Sequence, residues 1–297
     1  GVEVYGVFDG HGQRGHLVSH FAREALMESV PAAARSSMDD AGIAGRVQGC
    51  FHQVHRAMCK RPRLGPTQSG TTATVVVRDI LRERLVVAHV GDSTAVLLSQ
   101  AEGRGGLTAA PLTEDHKPQL AGERSRIQRA GCRVVFDGYS HRIASHRGRL
   151  GLNMSRSLGD ADAHNECGVS SHPDVSVRPL AQDDRALLVA SDGLWEVTSP
   201  QEAADVVAHF GQWQPMEAAR ALADEARARW MKLTGGHVVD DITVVLAWFQ
   251  DTIARTDTES SGSTMASWTT TASHSEQHDH DQEQEDDTGR WGDGEAW

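Results

Sequence analysis

The sequence predicts an α+β fold in which antiparallel sheets are flanked by helices. Short apolar runs rich in β-branched residues predict buried strands, and longer stretches with an apolar stripe predict helices. The predicted strands follow one another in pairs, and the predicted helices also come in pairs. That order disfavours the regular strand and helix alternation of a parallel sheet. With 297 residues, the chain is long enough to bury a sizeable core.

The N-terminal third is predicted to form one strand, a helix pair and then three more strands. Pro31 is expected to end the first helix, because proline cannot donate the helical hydrogen bond. In chain order the predicted elements are a strand over 2–8, helices over 15–30 and 43–58, and strands over 69–77, 84–90 and 94–98.

The rest of the folded region is predicted to hold a helix ended by Gly131, a long irregular segment, and then further regular elements. The irregular segment over 136–172 is rich in His, Gly, Ser and Arg, and long loops of this kind are often functional. The regular elements are a helix over 118–130, a strand over 186–191, helices over 200–210 and 215–230, and a strand over 242–249.

Four predicted strands have an aspartate at their edge, and this recurrence says most about function. Asp9, Asp92 and Asp192 follow strands, and Asp240 precedes the last strand. Each of them taken singly has an alternative role in a turn, since Asp-Gly is a common turn dipeptide. If the four edges converge, repulsion between the carboxylates would be severe without cations. Oxygen ligands without a cysteine pattern predict a hard divalent ion such as Mg²⁺ or Mn²⁺.

Most of the net charge lies at the C-terminal end of the chain. The whole chain carries −12, and residues 251–297 account for −10 of it. The nearly neutral remainder gives no electrostatic argument for nucleic acid or an anionic membrane as a partner. No apolar stretch is long enough to span a bilayer, no signal peptide is evident, and the four cysteines form no CxxC pair. We therefore expect a soluble intracellular protein, cytoplasmic and/or nuclear.

Composition divides the chain into a folded region, 1–250, and a tail, 251–297. The tail is acidic and rich in Ser, Thr, Gln and His. Such a segment cannot bury enough apolar surface to offset its chain entropy, so it is predicted to be disordered. The sequence starts inside a strand pattern, and we expect it to be a fragment whose natural start lies upstream.

Seven short motifs occur along the folded region. They are Asp9-Gly10-His11-Gly12, Ser69-Gly70-Thr71-Thr72-Ala73, Gly91-Asp92-Ser93, Asp115-His116-Lys117-Pro118, Ser155-Arg156-Ser157-Leu158-Gly159-Asp160, Asp192-Gly193-Leu194-Trp195 and Asp240-Asp241-Ile242-Thr243. With these motifs in this order, the chain resembles the metal-dependent serine/threonine protein phosphatases of type 2C, the PPM family, over about residues 1–249. Seven motifs in register are far more specific than one short pattern.

The resemblance implies a four-layer αββα fold, a central β-sandwich of two antiparallel sheets with a helix pair outside each. It implies that residues 1–250 form a type 2C phosphatase-like catalytic domain, truncated at its N-terminus. It also implies a centre of two or three Mg²⁺ or Mn²⁺ ions. The implied ligands are Asp9 between two ions, the Gly10 carbonyl on the second ion, Asp192 and Asp240 on the first, and Asp92 with Asp192 and Glu196 on a further, weaker ion.

The implied reaction is hydrolysis of phosphoserine and phosphothreonine by a metal-activated water at a binuclear centre. Two cations that share a carboxylate can lower the pKa of a bridging water and stabilise charge on the phosphate oxygens. His11 matches the residue proposed as general acid to the leaving oxygen, with a structural turn histidine as the alternative. Arg156 lies in a family motif and is predicted to bind substrate, with a surface or structural arginine as the alternative for it and for the other arginines of this segment. Arg142, Arg147 and Arg149, in the segment that matches the variable flap, are weaker candidates.

Departures from the family pattern leave a second function open. Glu196 stands where the family has aspartate, Gln13 replaces a glycine and Asp241 replaces an asparagine, and none of these changes removes a ligand. The phosphate-binding arginine and the acidic pair of the family would lie upstream of this sequence. The alternative function is a catalytically impaired phosphatase-like regulatory or binding module, and a small phosphoester is the alternative substrate. The expected partners are phosphoprotein substrates, without nucleic acid or a membrane span, and the chain is expected to be a monomer.

Overall fold

The structure is a computed structural model that describes residues 1–35, 39–101, 103, 105–145, 151–249 and 269–274. Its strands are β1 (Val2–Val7), β2 (Gly10–His11), β3 (Gly70–Thr71), β4 (Ala73–Asp79), β5 (Arg84–Val90), β6 (Thr94–Gln100), β7 (Leu107–Pro111), β8 (Arg133–Phe136), β9 (His141–Ala144), β10 (Leu158–Gly159), β11 (Asp174–Pro179), β12 (Asp184–Ala190), β13 (Ile242–Trp248) and β14 (Thr269–His274). Its α-helices are α1 (Gly15–Ala34), α2 (Asp40–Cys59), α3 (Ala121–Arg129), α4 (Ala161–Cys167), α5 (Asp192–Trp195), α6 (Pro200–Phe210) and α7 (Pro215–Leu233).

Two antiparallel sheets form the centre of the fold. Sheet I has the strand order β1-β4-β5-β11, and sheet II has the order β14-β13-β12-β6-β7. Every neighbouring pair in both sheets is antiparallel. The short strands β10, β3 and β2 form a small third sheet, and β8 pairs with β9 in a hairpin.

Apolar side chains pack between successive layers of these elements. Tyr5, Val76 and Leu187 belong to the cluster that fills the space between the two sheets. Helices α1 and α2 pack on the outer face of sheet I, where Phe51 is fully buried. Helices α6 and α7 cover sheet II in the same way, with Leu222 in that cluster. The predicted αββα arrangement is therefore confirmed, because alternate residues of each central strand face the opposite sheet or a helix pair.

Helix α1 extends one turn beyond its predicted end. It contains Pro31, so the expectation that Pro31 ends the helix is wrong. Ala33 and Ala34, which follow Pro31, are buried in the cluster on the outer face of sheet I. Proline removes one helical hydrogen bond, and the burial of the next turn offsets part of that loss.

The segment predicted to be irregular contains regular elements. Strands β9 and β10 and helix α4 all lie within 136–172. Helix α4 has only 7 residues, too few to show a helical apolar period in the sequence. Of the candidate arginines in this segment, Arg147 and Arg149 lie outside the described residues.

Part of the C-terminal tail adds a strand to sheet II. Strand β14 pairs with β13, with His274 opposite Ile242 and Thr269 opposite Ala247. The prediction of a disordered tail does not hold for these six residues, and the rest of 251–297 lies outside the described residues. The open edge of β13 offers backbone hydrogen bonds to any extended segment, and three consecutive threonines favour extension.

Among the described residues, no helix combines the length and the apolar character needed to cross a membrane.

Candidate metal and catalytic site

The sheets bring the four predicted aspartates to one end of the sandwich. Strands β1 and β5 both pair antiparallel with β4, so Asp9 and Asp92 leave the same end of sheet I. Strand β12 is antiparallel to β13 and β6, so Asp192 after β12 lies at the same end as Asp240 before β13. Asp92 lies in the turn between β5 of sheet I and β6 of sheet II. This turn therefore connects the Asp9 end of sheet I to the Asp192 end of sheet II. The convergence predicted from strand edges follows from this register.

The carboxylates lie close enough to perturb one another. Burial raises the pKa of Asp9 to about 7, and the negative charge of Asp240 adds to this effect. Burial also raises the pKa of Asp192 well above its usual value, with further contributions from Asp92 and Asp9. The pKa of Asp240 is raised by burial and then by Glu196. Carboxylates whose pKa values rise together need protons or cations to balance their charge.

The residues of this cluster fit a hard divalent cation. Asp92 is 1% exposed, and its Oδ1 has no hydrogen-bond partner among the described residues. A buried carboxylate oxygen without a donor is costly unless a cation binds it. The cluster offers only oxygen donors, which is the ligand preference of Mg²⁺ and Mn²⁺.

The loop after β1 is held by backbone and hydroxyl hydrogen bonds. The Asp9 N–H donates to Thr72 Oγ1 at 3.0 Å, and the Asp9 carbonyl accepts from Thr71 Oγ1 at 2.9 Å. Gly10 lies against Gly15 at the start of α1, and a Cβ on Gly10 would come 2.5 Å from the Gly15 carbonyl oxygen. Gly10 is therefore needed for this close approach, in addition to its predicted role as a carbonyl ligand.

His11 forms a hydrogen-bonded pair with Asp160. Its Nε2–H donates to Asp160 Oδ2 at 2.7 Å, and the Ser157 hydroxyl donates to the same oxygen at 2.5 Å. Burial lowers the pKa of His11, but the charge of Asp160 and this hydrogen bond outweigh burial and raise it. Gly70 makes room for the pair, since a Cβ there would collide with Asp160 Oδ2 and lie 2.6 Å from His11 Nε2. The pair thus orients the imidazole and favours its protonated form.

Sequence reasoning did not assign a role to Asp160. It is the last residue of the motif Ser155-Arg156-Ser157-Leu158-Gly159-Asp160, and its φ of 47° is left-handed, which is uncommon for aspartate. The motif was a signal that could have pointed to this residue. Its partner could not be read from the sequence, because His11 lies 149 positions away.

Glu196, the predicted ligand that departs from the family pattern, is hydrogen-bonded to a neighbouring loop. The Tyr139 hydroxyl donates to Glu196 Oε2 at 2.9 Å. Lys117 Nζ lies 3.7 Å from Glu196 Oε1 and donates to Asp92 Oδ2 at 2.5 Å. Burial lowers the pKa of Lys117, but the neighbouring carboxylates, Asp92 first, outweigh burial and raise it. Lys117 is therefore a charged member of the site. Sequence reasoning included it in the motif Asp115-His116-Lys117-Pro118 but gave it no role.

Known proteins are similar to this chain in sequence and in fold. A family model described as protein phosphatase 2C matches residues 2–232. Probable protein phosphatase 2C 48 of Oryza sativa subsp. japonica is 34% identical over 275 residues, which cover 84% of this chain and 76% of that protein. The chain belongs to the protein phosphatase 2C family. The resemblance predicted from the motifs is confirmed.

A second relative and a solved structure extend this picture. Probable protein phosphatase 2C 64 of Oryza sativa subsp. japonica is 34% identical over 248 residues, which cover 81% of this chain and 57% of that protein. The crystal structure of serine-threonine phosphatase 2C from Toxoplasma gondii is similar in fold, with a TM-score of 0.70 and 22% identity, covering 84% of this chain and 85% of that one. As a member of the family, the chain is a metal-dependent serine/threonine protein phosphatase.

Arg156 has a different environment in this phosphatase from the one predicted. Its Nε and Nη2 donate to Glu123 Oε1 at 3.1 and 2.7 Å, and its Nη1 donates to Asp174 Oδ1 at 2.7 Å. The side chain is only 14% exposed. This arrangement favours the alternative of a structural arginine, because every guanidinium nitrogen already serves an internal ion pair.

A cavity of about 520 Å³ opens beside His11. It is lined by Arg142, by apolar side chains that include Leu152 and Met154, and by the acidic Glu166. Arg142 also donates to Asp137 Oδ2 at 2.5 Å. Among the described arginines that the sequence suggested for substrate binding, Arg142 is the one the structure places in the same cavity as His11.

A separate group of His89, His116 and Asp174 has ligand atoms within 4.8 Å of one another, the spacing that a metal site needs. Its hydrogen bonds favour another role. His116 Nδ1 accepts from the Gly91 N–H at 3.1 Å, so its proton lies on Nε2, which faces Asp174 Oδ2 at 3.3 Å. A metal at Nε2 would displace that proton and leave no N–H on the ring. We interpret this group as a hydrogen-bonded support for the turn that carries Asp92.

Proposed function

We propose that this phosphatase hydrolyses phosphoserine and phosphothreonine in proteins at a binuclear Mg²⁺ or Mn²⁺ centre. Residues 1–250 are proposed as the catalytic domain, with 251–297 as an appendage that adds one strand. The observation that carries the proposal is the meeting of Asp9, Asp92, Asp192 and Asp240 at one end of the sandwich, where burial and mutual repulsion raise the pKa of three of them. Such a cluster is stable at neutral pH when cations bind it.

The proposed ligands follow from this placement. Asp9 and the Gly10 carbonyl, with Asp192 and Asp240, would hold the two ions, and Asp92 with Glu196 would serve a further, weaker one. When bound, such ions activate a water molecule and neutralise charge on the phosphate oxygens. The hydrogen bonds that fix the backbone of Asp9 keep its carboxylate in place for this task.

His11 is proposed to donate a proton to the leaving serine or threonine oxygen. When the imidazole of His11 is protonated, its Nε2–H donates to Asp160, and the second proton is on Nδ1. Asp160 acts as a positioning residue, since it holds the ring and compensates the positive charge of the imidazolium. A serine or threonine alkoxide is a poor leaving group, so a positioned proton donor contributes about 10²–10⁴-fold to turnover.

The cavity beside His11 is proposed to receive the residues that flank the phosphorylated side chain. Its volume of about 520 Å³ lies in the range of ordinary ligand sites. Arg142 on its wall supplies a positive charge, and Leu152 and Met154 supply apolar contact. A protein substrate fits this surface better than a small phosphoester, which would leave the cavity empty.

The test is dephosphorylation of a phosphothreonine peptide with and without Mn²⁺, with calorimetric measurement of Mn²⁺ binding in parallel. We expect turnover that requires Mn²⁺, stops with EDTA and is lost in Asp192→Ala. Turnover that persists without metal, or in Asp192→Ala, would contradict the proposed mechanism. Absence of Mn²⁺ binding at millimolar metal would instead favour a regulatory or binding module.

The substrate class is tested with a second substrate. We expect the phosphopeptide to be turned over with a higher kcat/KM than a small aryl phosphate lacking flanking residues. A higher kcat/KM for the aryl phosphate would favour a small phosphoester as the substrate.

A further inference from the structure

The carboxylate cluster contains a positive charge of its own, the ammonium group of Lys117. Its Nζ donates to Asp92 Oδ2 at 2.5 Å and lies 3.7 Å from Glu196 Oε1. Asp92 is buried and the Lys117 side chain is 21% exposed, so the pair is largely shielded from water. The attraction between the two charges is therefore screened less than it would be on the surface.

Two sets of hydrogen bonds fix Lys117 beside Asp92. The His116 N–H donates to the Gly91 carbonyl at 3.0 Å, and the Gly91 N–H donates back to His116 Nδ1 at 3.1 Å. The Thr94 hydroxyl donates to Asp115 Oδ1 at 2.7 Å. The residues before Lys117 are therefore bound to both sides of the turn that carries Asp92. The ammonium group is positioned by the fold rather than by a flexible surface arm.

Asp92 and Glu196 each present one oxygen to Lys117 and have a second oxygen with a different environment. Asp92 Oδ1 is buried without a hydrogen-bond partner among the described residues, so it remains open to a cation. Glu196 Oε2 is taken by the Tyr139 hydroxyl. A divalent ion bound between these two carboxylates would bring a second positive charge next to the ammonium group, and their repulsion would displace the ammonium group from Asp92 and Glu196.

We propose that Lys117 is a tethered cation that competes with a divalent ion for Asp92 and Glu196. Two divalent ions then bind tightly at Asp9, Asp192 and Asp240, and a third binds weakly because it must displace Lys117. The inference rests on the proposed binuclear centre and assigns a cause to the weakness of the third site. Lys117 acts here as a positioning residue that sets how many ions the site holds.

The first experiment counts bound Mn²⁺ by electron paramagnetic resonance and calorimetry, independently of activity. In the wild-type protein we expect two tight ions and a third with a dissociation constant at least about tenfold larger. Lys117→Met should tighten the third ion by about 10- to 100-fold, and more than it tightens the first two. Lys117→Arg, which keeps the charge, should leave the third ion weak. Lys232→Met, on the exposed surface of α7, controls for the change in net charge.

The second experiment uses the wild-type protein and therefore does not depend on a variant that folds. The sequence has three lysines, Lys60, Lys117 and Lys232, so ¹³Cε-lysine labelling gives a spectrum of three assignable signals. In a Mg²⁺ titration, the Lys117 signal should make its largest shift in the weak, third phase, when the ammonium group leaves Asp92. The signals of Lys60 and Lys232 should stay in place.

The outcomes separate this inference from the proposed function. A wild-type protein that binds no Mn²⁺ would overturn the proposed function and the inference with it. Two or three ions of equal affinity with no change in Lys117→Met would overturn the inference alone. A Lys117 signal that shifts with the first ion would also overturn it, because the ammonium group would then belong to a tight site.

Discussion

His11 Nε2 lies 2.7 Å from Asp160 Oδ2, across 149 positions of sequence. The same aspartate oxygen accepts from the Ser157 hydroxyl, and the absence of a side chain at Gly70 makes room for His11 and Asp160. A carboxylate held by the fold therefore orients the imidazole beside the aspartate cluster.

The first prediction concerns the role of His11 as a proton donor. His11→Ala should lower kcat by about 10²–10⁴-fold on phosphoserine and phosphothreonine peptides, because their leaving oxygen is strongly basic. Aryl phosphates should be affected much less, since their leaving oxygen is already stable. Mn²⁺ affinity, measured by calorimetry, should stay near the wild-type value. His16→Ala, an exposed histidine on α1, is the matched control. An equal loss on both substrate types, or a collapse of metal affinity, would show that His11 is structural.

The second prediction is that His11 and Asp160 act as one unit. Asp160→Asn keeps the size of the side chain and removes the charge that holds the imidazolium. It should lower kcat on phosphopeptides by about tenfold or more, and the double variant with His11→Ala should lose little beyond His11→Ala alone. Asp183→Asn, an exposed aspartate, should behave like the wild type. If the two losses multiply, Asp160 acts independently of His11 and the pairing has no catalytic consequence.

The third prediction concerns stability at low pH. Burial raises the pKa of Glu123, but hydrogen bonds from Arg126, Arg156 and Ser155 outweigh it and lower the pKa from 4.5 to about 2. Because the folded pKa is depressed, the stabilisation is present above pH ~4.5 and is lost as the pH falls toward ~2. Glu123→Gln should reduce the free energy of unfolding by about 1–3 kcal/mol at pH 7.

The measurement is urea unfolding of the metal-free protein at several pH values. The difference between wild type and Glu123→Gln should shrink as the pH falls below ~4.5, and the exposed Glu217→Gln should show no such difference. If the difference in the free energy of unfolding stays constant with pH, the charge of Glu123 is not what stabilises the wild-type protein.

The fourth prediction separates the two parts of the tail. A chain that ends at residue 274 keeps β14, whereas a chain that ends at residue 250 loses it and exposes the edge of β13. Removal of 275–297 should leave the thermal midpoint unchanged, because this acidic segment has almost no apolar period. Removal of 251–297 should lower the midpoint by roughly 2–4 °C, the loss expected for about 1 kcal/mol.

Limited proteolysis of the full chain provides a second readout for the tail. Cleavage should concentrate in 275–297 and spare 269–274. Equal thermal midpoints for the two truncated chains, with rapid cleavage within 269–274, would show that β14 contributes nothing to the fold.

Much of the site could be predicted from sequence because its parts are local. An apolar run that ends at aspartate places that carboxylate at a strand edge, and this held for Asp9, Asp92 and Asp192. The pairing of strands and helices predicted the layers, because each element had one apolar face to bury. The motifs identified the family, which the comparisons confirmed.

Sequence reasoning is less informative where a residue's partners lie far along the chain. Arg156 sits in a recognisable motif, but the motif does not show that Glu123 and Asp174 accept hydrogen bonds from its guanidinium. Strand β14 lies in a segment whose composition predicts disorder, and only the open edge of β13 explains its pairing. No local pattern contains this information.

The sequence by itself therefore determined the fold class, the family and the placement of the aspartates at strand edges, since hydrophobic period and strand-edge placement are properties of neighbouring residues. Only the tertiary structure decided that Asp160 holds His11 and that Lys117 donates to Asp92. Hydrogen bonds and ion pairs need atoms within about 3 Å. Which distant side chains come that close is set by the register of the sheets and the packing of the loops above them.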